Sequence, residues 1–315
     1  MLRKEQNGLV TYSFENLAEH SLVHAVFTRL GGVSLGPFSS LNVGNIVGDD
    51  PTAVAENHAR VYAHLDLDAL RIVTPHQVHS NRVVAVSAGD AGHKLSSTDG
   101  LVTDTPCLGL LLRFADCQPI LLYDPVHHAL GLVHAGWRGT AQGIASRAVE
   151  AMQEAFGTLP QDLIAGLGPA IGPCCYVVGD NVTAAMGYAL PNWQQVMKPL
   201  SEGQWYLDLS AANAQHLASA GVLNIEQAHL CTSCHNDLFF SHRAEKGRTG
   251  RFAVAAYLKA SGKHPQSGKE TNLRESTPPE EAQPGSLHPP GLPAFTEPLE
   301  DHTMTLENNL RAVQD

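Results

Sequence analysis

Residues 129–156, ALGLVHAGWRGTAQGIASRAVEAMQEAF, decide the fold class because they place a strand, a glycine turn and a helix in direct succession. The run Leu130–His134 is apolar and of strand length, and Gly136 follows it at once. From Thr140 to Phe156 apolar residues recur at every fourth position, which is typical of a helix with one buried face. Units of this kind predict a sheet that buries one face under helices.

The rest of the chain extends this pattern without a strict alternation of strands and helices. Short apolar runs bounded by turn residues predict further strands at Val23–Thr28, Val83–Ser87, Gly100–Val102, Gly109–Phe114, Ile120–Tyr123 and Leu163–Leu167. Three more helices are predicted: one from Asp50 as N-cap and Pro51 to about His64, one over Gly179–Leu190, and one over Leu209–Ala220 capped by Asp208 or Ser210. The predicted fold class is therefore α+β rather than a doubly wound sheet.

The composition divides the chain into two regions. Residues 1–258 carry the apolar periodic segments and are predicted to form one compact domain. Residues 259–315 are rich in proline and glutamate, and eight of the 19 prolines lie after Lys259. Because this region shows no apolar periodicity, it is predicted to be a disordered C-terminal tail.

Charge and hydropathy exclude several classes of protein. A formal net charge of −11 argues against nonspecific binding to nucleic acid or to an anionic membrane, although a local basic pocket for a small anion is compatible with it. The N-terminus has no apolar signal segment, and no apolar run is long enough to span a bilayer. A cytoplasmic location is predicted, and the six cysteines are interpreted as thiols, ligands or nucleophiles rather than as a disulfide framework.

Three segments carry candidate metal ligands: TPHQVHSN (74–81), LLLRFADCQP (110–119) and GLVHAGWRGT (131–140). In two of them an apolar strand runs into a polar residue, Cys117 or His134, where the strand ends and a loop begins, and such positions commonly build sites. Imidazole and thiolate groups are good ligands for Zn²⁺ and copper. The spacing alone leaves two interpretations open, a metal site or a buried cysteine with two core histidines.

Other segments suggest anion binding or thiol chemistry. The glycines of the turn Gly136–Gly139 precede a helix, so its amides could bind an anion beside a clamping Arg138, or the turn could be a purely structural one. The basic stretch Ser241–Arg251 could help Arg29 bind phosphate, or it could be a solvated loop. Cys174 and Cys175 lie in a turn-rich loop, where they are either buried structural thiols or a thiol near the metal site. The motif Cys231–His235 matches a haem-attachment pattern without its context, and a zinc pair would need two further ligands, so it is interpreted as a chance pattern in a turn.

Seven phrases of the sequence, taken together and in order, carry a resemblance to a known family. They are FTRLGGVS, LNVGNIVGDD, TPHQVHSNRV, TDGLVTDTPCLGLLLRFADCQPILLYDP, VHAGWRGTAQGI, GLGPAIGPCCYVVG and SHRAEKGRTGRFAVAAYL. From about Phe14 to Leu258 the chain resembles the YfiH family, also called the laccase-domain family and named for multicopper polyphenol oxidoreductases.

The resemblance implies a metal site, a fold and a set of functional residues. The metal ligands would be His79, Cys117 and His134, and the metal Zn²⁺, with Cu²⁺ as the other ion that suits them. The fold would be a single α+β catalytic domain with β-sheets flanked by helices, similar to the catalytic domain of cytotoxic necrotizing factor toxins. The similarity to these toxins gives Cys117 and His134 a second role as nucleophile and base. The predicted catalytic residues are Cys117, His134 and Arg138. The predicted substrate-binding residues are Arg29, Asn42, Gln77, Asp99, Trp137 and Gly139.

The functional labels of this family differ. The favoured prediction is a metal-dependent purine nucleoside phosphorylase for adenosine, inosine and methylthioadenosine, which also deaminates adenosine with Asp99 or Asp116 as the proton carrier. The alternatives are an amidase that edits a peptidoglycan precursor and a copper polyphenol oxidase, or laccase. Laccase chemistry is disfavoured because the chain has no His-x-His pair for a copper cluster. The predicted partners are a small nucleoside and phosphate, with no nucleic acid, no membrane and no obligate protein partner.

Overall fold

The computed structural model describes residues 1–260, and the predicted tail from residue 261 onward lies outside the described residues. The strands of the described part are β1 (Leu2–Gln6), β2 (Leu9–Ser13), β3 (Leu22–Phe27), β4 (Ile72–Pro75), β5 (Val83–Ala85), β6 (Lys94–Leu95), β7 (Gly100–Thr103), β8 (Gly109–Phe114), β9 (Gln118–Asp124), β10 (Ala129–Ala135), β11 (Ile164–Leu167), β12 (Val177–Gly179), β13 (Met197–Ser201), β14 (Gln204–Leu207), β15 (Asn224–Gln227) and β16 (Phe252–Leu258).

The helices are fewer and lie between the strands. The α-helices are α1 (Pro51–Leu65), α2 (Trp137–Ala141), α3 (Ile144–Phe156), α4 (Asp180–Ala189) and α5 (Leu209–Ser219). Single 3-10 turns occur at Glu15–Leu17, Gly36–Phe38, Ala69–Arg71, Ala88–Asp90, Pro160–Asp162 and Trp193–Gln195. None of the helices within residues 1–260 has the length and apolar character needed to cross a bilayer.

Two large sheets and one small sheet make up the β structure of residues 1–260. The first has seven strands in the order β1-β2-β3-β16-β8-β4-β6, and the second has six in the order β15-β11-β9-β10-β7-β5. Both mix parallel and antiparallel pairs; β9 and β10, for example, pair antiparallel along their whole length, whereas β5 and β7 pair parallel. The third sheet has the order β12-β14-β13.

The main core lies between the two large sheets. Leu110 and Leu112 of β8 belong to the same buried cluster as Leu121 of β9 and Leu132 of β10. The opposite face of the six-stranded sheet is covered by α3 and α5, and the opposite face of the seven-stranded sheet by α1. The predicted α+β class, with sheets flanked by helices, is therefore confirmed.

The helix boundaries follow the predicted capping residues except at one position. The Asp50 carboxylate accepts the Thr52 amide hydrogen at the start of α1, and Asp208 accepts that of Ala211 at the start of α5. The predicted continuous helix over 140–156 is wrong, because α2 ends at Ala141 and α3 begins at Ile144. Between them Gly143 has a φ of +72°, which no α-helix accommodates.

Strand β16 was not predicted from the apolar pattern of the sequence. It lies at the centre of the seven-stranded sheet, between β3 and β8. Its sequence, FAVAAYL, is apolar on both faces because the core lies on one side and α1 with its neighbours on the other. A strand buried on both faces lacks the alternation that identifies a half-exposed strand.

Candidate metal centre and its cavity

Two of the three candidate ligands lie where the chain passes from one large sheet to the other. His79 is in the loop from β4 of the first sheet to β5 of the second, and Cys117 is in the loop from β8 to β9. His134 is near the end of β10, which is paired with β9. One ligand atom from each of the three residues lies within 4.8 Å of the others. The topology therefore brings together side chains that are far apart in sequence.

The backbone around these residues adopts uncommon conformations. His79 has a φ of 63° and Asp116, just before Cys117, has a φ of 81°. Residues with a side chain rarely adopt the left-handed region, and such positions concentrate at functional sites. Gly136 is also required, since a Cβ there would lie 2.8 Å from His79 Cδ2 and 3.0 Å from Cys117 Sγ. The glycine turn thus packs directly against two of the three candidate ligands.

Asp99 holds two of the candidate ligands in position. Its Oδ1 accepts hydrogen bonds from the Nδ1 atom of His134 and the amide of His79, each at 2.9 Å. Its Oδ2 accepts the amide and the hydroxyl of Ser80, each at 2.8 Å. Burial would raise the pKa of Asp99, but these bonds and His134 lower it to about 2. Because Nδ1 of His134 is engaged, its Nε2 is the atom left to coordinate a metal.

The thiol and imidazole groups stabilise each other's charged forms. Burial would raise the pKa of Cys117, but His134 and His79 lower it to about 6. Burial would likewise lower the pKa of His134, but Cys117 and Asp99 raise it to about 9. Cys117 is therefore a thiolate at neutral pH, which is the form that binds metals and attacks electrophiles.

The donor set fits one metal ion. Two imidazoles and a thiolate are the ligands of a three-residue zinc site, which leaves a fourth position for water or substrate. His134 is buried, Cys117 is half-buried and His79 is exposed, so the group opens on the side of His79. The hydrogen bond from His134 to Asp99 is the outer support that histidine ligands usually have. The same ligands also suit copper.

A cavity of about 690 Å³ lies over this group and is rich in cationic side chains. Its lining includes Lys94, Arg113, Arg138, Arg243 and Arg251, together with four histidines, and the acidic residue in the lining is Asp116. Both oxygens of Asp116 already accept hydrogen bonds, from the Thr232 hydroxyl and the Arg243 amide. A chain with a net charge of −11 thus has a basic pocket beside its candidate metal site.

Three of the predicted site residues lie on the cavity wall besides the candidate ligands. Arg138 is exposed, and its guanidinium lies 4.6 Å from the centre of the Trp137 ring. Within residues 1–260 its guanidinium has no hydrogen-bonding partner among the protein groups. Gln77 is on the wall too, but its side chain is bonded to the backbone of Arg113 on both sides, at 2.8 and 3.0 Å. Arg138 and Trp137 are therefore the predicted wall residues best placed to reach a substrate.

Arg29 and Asn42 lie off the cavity wall and have other partners. The Arg29 guanidinium donates to the carbonyls of Ser39 and Asn236 and to the Glu245 carboxylate. Asn42 is fully buried, and its Oδ1 accepts the amides of Gly44 and Arg251. Both side chains are thus bonded to the loops around the cavity, and their contact with substrate stays a prediction.

Asp99 and Gly139 are likewise buried behind the wall. Asp99 is fully buried and its oxygens are occupied as described above. A Cβ at Gly139 would lie 2.9 Å from the carbonyl oxygen of Ser80, so this glycine allows α2 to approach the loop that carries His79. Both residues support the loop that carries His79, and neither is part of the cavity lining.

Four further residues on the cavity wall were not among the predicted site residues. Tyr176, His242, Arg243 and Arg251 line the cavity, whereas Arg248, which the basic stretch suggested, is not part of the lining. The basic stretch Ser241–Arg251 was a usable signal, but nothing in the sequence shows which of its cations face inward. The Arg243 guanidinium lies 5.2 Å from the ring centre of Tyr176.

Comparisons with known proteins cover most of the described chain. Residues 23–259 match the family described as multi-copper polyphenol oxidoreductase laccase. The purine nucleoside phosphorylase YlmD of Geobacillus stearothermophilus is 43% identical over 239 residues, which is 73% of this chain and 87% of that protein. A purine nucleoside phosphorylase of Deinococcus radiodurans is 39% identical over 245 residues, covering 78% of this chain and 91% of that protein.

Solved structures agree with these sequence matches. The hypothetical protein YfiH of Bacillus licheniformis is 38% identical with a TM-score of 0.77, and the match covers 82% of this chain and 99% of that one. The structure of YlmD from Geobacillus stearothermophilus is 39% identical, also with a TM-score of 0.77, over 81% of this chain and 98% of that one. Both likenesses cover almost the whole of the other chain.

Proposed function

This chain belongs to the multi-copper polyphenol oxidoreductase laccase family, and we propose that within it the chain acts as a metal-dependent purine nucleoside phosphorylase. We extend the proposal to adenosine, inosine and methylthioadenosine as substrates and to the deamination of adenosine. Several relatives named for phosphorolysis support the first part. The second part rests on the chemistry of the candidate metal centre.

The observation that carries the proposal is the cationic cavity beside the candidate ligands. Phosphorolysis needs phosphate held under C1′ of the ribose while the glycosidic bond breaks, and charge neutralisation with positioning does most of that work. The exposed Arg138 guanidinium, with its unengaged donors, suits bidentate binding of phosphate. Arg243, in the loop between β15 and β16, supplies a second cation on the cavity wall.

Phosphorolysis transfers the ribose from the purine base to phosphate. A phosphate oxygen forms a bond to C1′, the bond from C1′ to N9 breaks, and its electron pair leaves with the purine, which takes up a proton. The products are ribose 1-phosphate and the free base. Trp137 and Tyr176 offer aromatic faces against which the purine can stack. Trp137 lies beside Arg138, and Tyr176 lies beside Arg243. The base and the phosphate would therefore occupy adjacent parts of the cavity.

His79, Cys117 and His134 would hold the metal, which supplies Lewis-acid polarisation and activates water at neutral pH when it is bound. Deamination replaces the amino group at C6 of adenosine with oxygen from water and releases ammonia. Asp99 accepts five hydrogen bonds and the Asp116 carboxylate accepts two, so neither carboxylate is free as the proton carrier. Within residues 1–260, His76 and His242 are the wall histidines outside the metal group whose side chains have no hydrogen-bonding partner.

The test is an assay of adenosine with and without phosphate, with adenine, inosine and hypoxanthine separated as products. We expect adenine only when phosphate is present, and inosine whether or not phosphate is present. Cys117→Ala should lose both activities together with about one metal ion per chain, because it removes one of three ligands. Wild-type protein that binds metal but forms no purine product would overturn the proposal and favour the peptidoglycan-editing amidase.

The oxidase activity named in the family description requires a different kind of metal site. Laccase chemistry needs a cluster of several coppers held mainly by paired histidines, whereas the metal-ligating groups within residues 1–260 are one His₂Cys group and one group of four cysteines. Copper in the His₂Cys group is compatible with its ligands. A phenol-oxidation assay on copper-loaded protein separates the two readings, and our proposal predicts no turnover there.

A further inference from the structure

A second group of metal-ligating side chains lies apart from the candidate ligands described above. This cysteine cluster comprises Cys174, Cys175, Cys231 and Cys234. The first two residues lie in the loop between β11 and β12, and the other two follow β15. The sequence analysis interpreted Cys231–His235 as a chance pattern because it lacked two further ligands. The fold supplies two further thiols from a loop that is distant in sequence, so the reason for that interpretation no longer holds.

The sulfur spacing of the cluster is that of ligands around one ion. All four sulfur atoms lie within 4.8 Å of one another, and the Sγ atom of Cys234 is 3.4 Å from those of both Cys174 and Cys175. A disulfide would bring two sulfurs to about 2.05 Å, and all four residues are free thiols. Zinc–sulfur bonds of about 2.3 Å place tetrahedral ligands about 3.8 Å apart. A 2Fe–2S or 4Fe–4S cluster spreads its four thiolates over two or four irons and therefore holds them further apart than a single ion does.

The surrounding backbone is shaped to hold these thiols. The Gly172 amide donates a hydrogen bond to Cys231 Sγ at 3.2 Å, which stabilises a thiolate. A Cβ at Gly172 would lie 3.1 Å from Cys231 Cβ and 3.4 Å from Cys174 Sγ, so the absent side chain leaves room for the cluster. Burial raises the pKa of Cys231, but the amides of Gly172 and Cys234 with the neighbouring thiols lower it overall.

We propose that the cysteine cluster binds one Zn²⁺ ion in a closed, four-thiolate structural site. Four protein sulfurs complete the tetrahedron and leave no open position for substrate, which distinguishes a structural zinc site from a catalytic one. The thiols release their protons to solvent as the ion binds. This inference concerns residues that the proposed phosphorolysis does not use, so either can fail without the other.

The position of the cysteine cluster indicates which two loops the ion would connect. It fastens the loop that carries Ile171 and Tyr176, both on the cavity wall, to the loop that carries Thr232. Ile171 donates its amide hydrogen to the Asp116 carbonyl, and the Thr232 hydroxyl donates to the Asp116 carboxylate. Asp116 directly precedes the candidate ligand Cys117. The ion therefore stabilises the segment from which the cavity floor is built.

The first measurement is metal content of the full chain purified in reductant, compared with three variants. Cys234→Ser changes an exposed member of the cluster and should lose one metal ion per chain relative to wild type. Cys107→Ser, a half-buried thiol remote from both groups, should lose none. Cys117→Ala should keep the cluster's ion while losing any ion at the candidate catalytic site. Unchanged metal content in Cys234→Ser, with the protein folded, overturns the inference.

A second measurement does not depend on the folding of a cluster variant. In Cys117→Ala loaded with Co²⁺, four thiolates should give strong visible absorption and intense thiolate-to-cobalt charge-transfer bands. Zinc X-ray absorption of the same variant should show four sulfur neighbours and no nitrogen. A zinc site with nitrogen or oxygen neighbours, or no bound cobalt at all, contradicts a four-thiolate site.

Discussion

At the scale of single residues, the geometry of the candidate metal centre depends on one buried carboxylate that lies outside the cavity lining. Asp99 accepts hydrogen bonds from both the His134 ring and the His79 backbone. Outer partners of this kind fix the tautomer and direction of a histidine ligand. Asp99 is thus a positioning residue, and its effect should appear in metal affinity before it appears in any other property.

We expect Asp99→Asn to weaken zinc binding roughly 10- to 100-fold, because the amide keeps the shape but loses the charge that holds the His134 tautomer. The affinity is measured by competition with a chromophoric chelator. Asp104→Asn is the matched control, since Asp104 is exposed. Equal zinc affinity of the Asp99 variant and wild type would contradict this role.

Arg138 is the residue on which we place the binding of phosphate. Arg138→Ala should raise the KM for phosphate roughly 10-fold or more, because a bidentate cation is lost, and should leave the metal content unchanged. Initial rates at several phosphate concentrations give the KM. Arg147→Ala on the exposed face of α3 serves as control, and an unchanged KM in Arg138→Ala rules out the assigned contact.

At the scale of elements, strand β3 carries a histidine that must stay uncharged. Its His24 ring accepts the amide hydrogen of Phe14 through Nε2 at 2.8 Å, which a protonated ring cannot do. Burial lowers the pKa of His24 to about 4. Because the unfolded chain binds this proton near its ordinary pKa and the folded chain does not, acid favours unfolding.

The free energy of unfolding should therefore fall as the pH drops from about 6.5 to about 4, and His24 should account for about 3 kcal/mol of that fall. His24→Gln lacks a titrating ring and should show a shallower decrease, although it will be less stable than wild type at pH 7. Urea unfolding at a series of pH values gives the two slopes. Parallel curves for variant and wild type would show that His24 does not titrate on unfolding.

The helices and strands also show which secondary structure could be predicted from the sequence and which could not. Helix α1 was predicted almost to the residue because Asp50 and Pro51 mark its start locally. Strand β16 was missed because its neighbours β3 and β8 lie far away in sequence and bury both of its faces. The break at Gly143 was missed because glycine is compatible with either a continued or an interrupted helix until packing selects one.

At the scale of the whole molecule, the last described strand, β16, fills the central position of the seven-stranded sheet. The family match ends one residue after this strand, at residue 259. Lys259 still donates its amide hydrogen to the Ser21 carbonyl, so the hydrogen bonding of the domain continues to that residue. We propose that residues beyond Ala260 are dispensable for folding and for the chemistry of the cavity.

A chain ending at Ala260 should keep the Tm, metal content and phosphorolysis rate of the full chain. The comparison uses thermal unfolding and the adenosine assay on both proteins. A second truncation after Phe252 should fail to fold, because it removes most of β16 from the centre of a sheet. A large loss of Tm or activity in the first truncation would show that the domain extends past residue 260.

The sequence by itself determined the local features of this protein: the α+β class, the helix caps, and the strand ends that carry Cys117 and His134. Those follow from spacing and residue chemistry over short stretches. The tertiary structure alone decided that Asp99 is a buried support, that Arg243 faces the cavity while Arg248 does not, and that four distant cysteines meet. Each of these depends on which strands pair and how two sheets face each other, and that arrangement is set by burial across the whole chain rather than by any one segment.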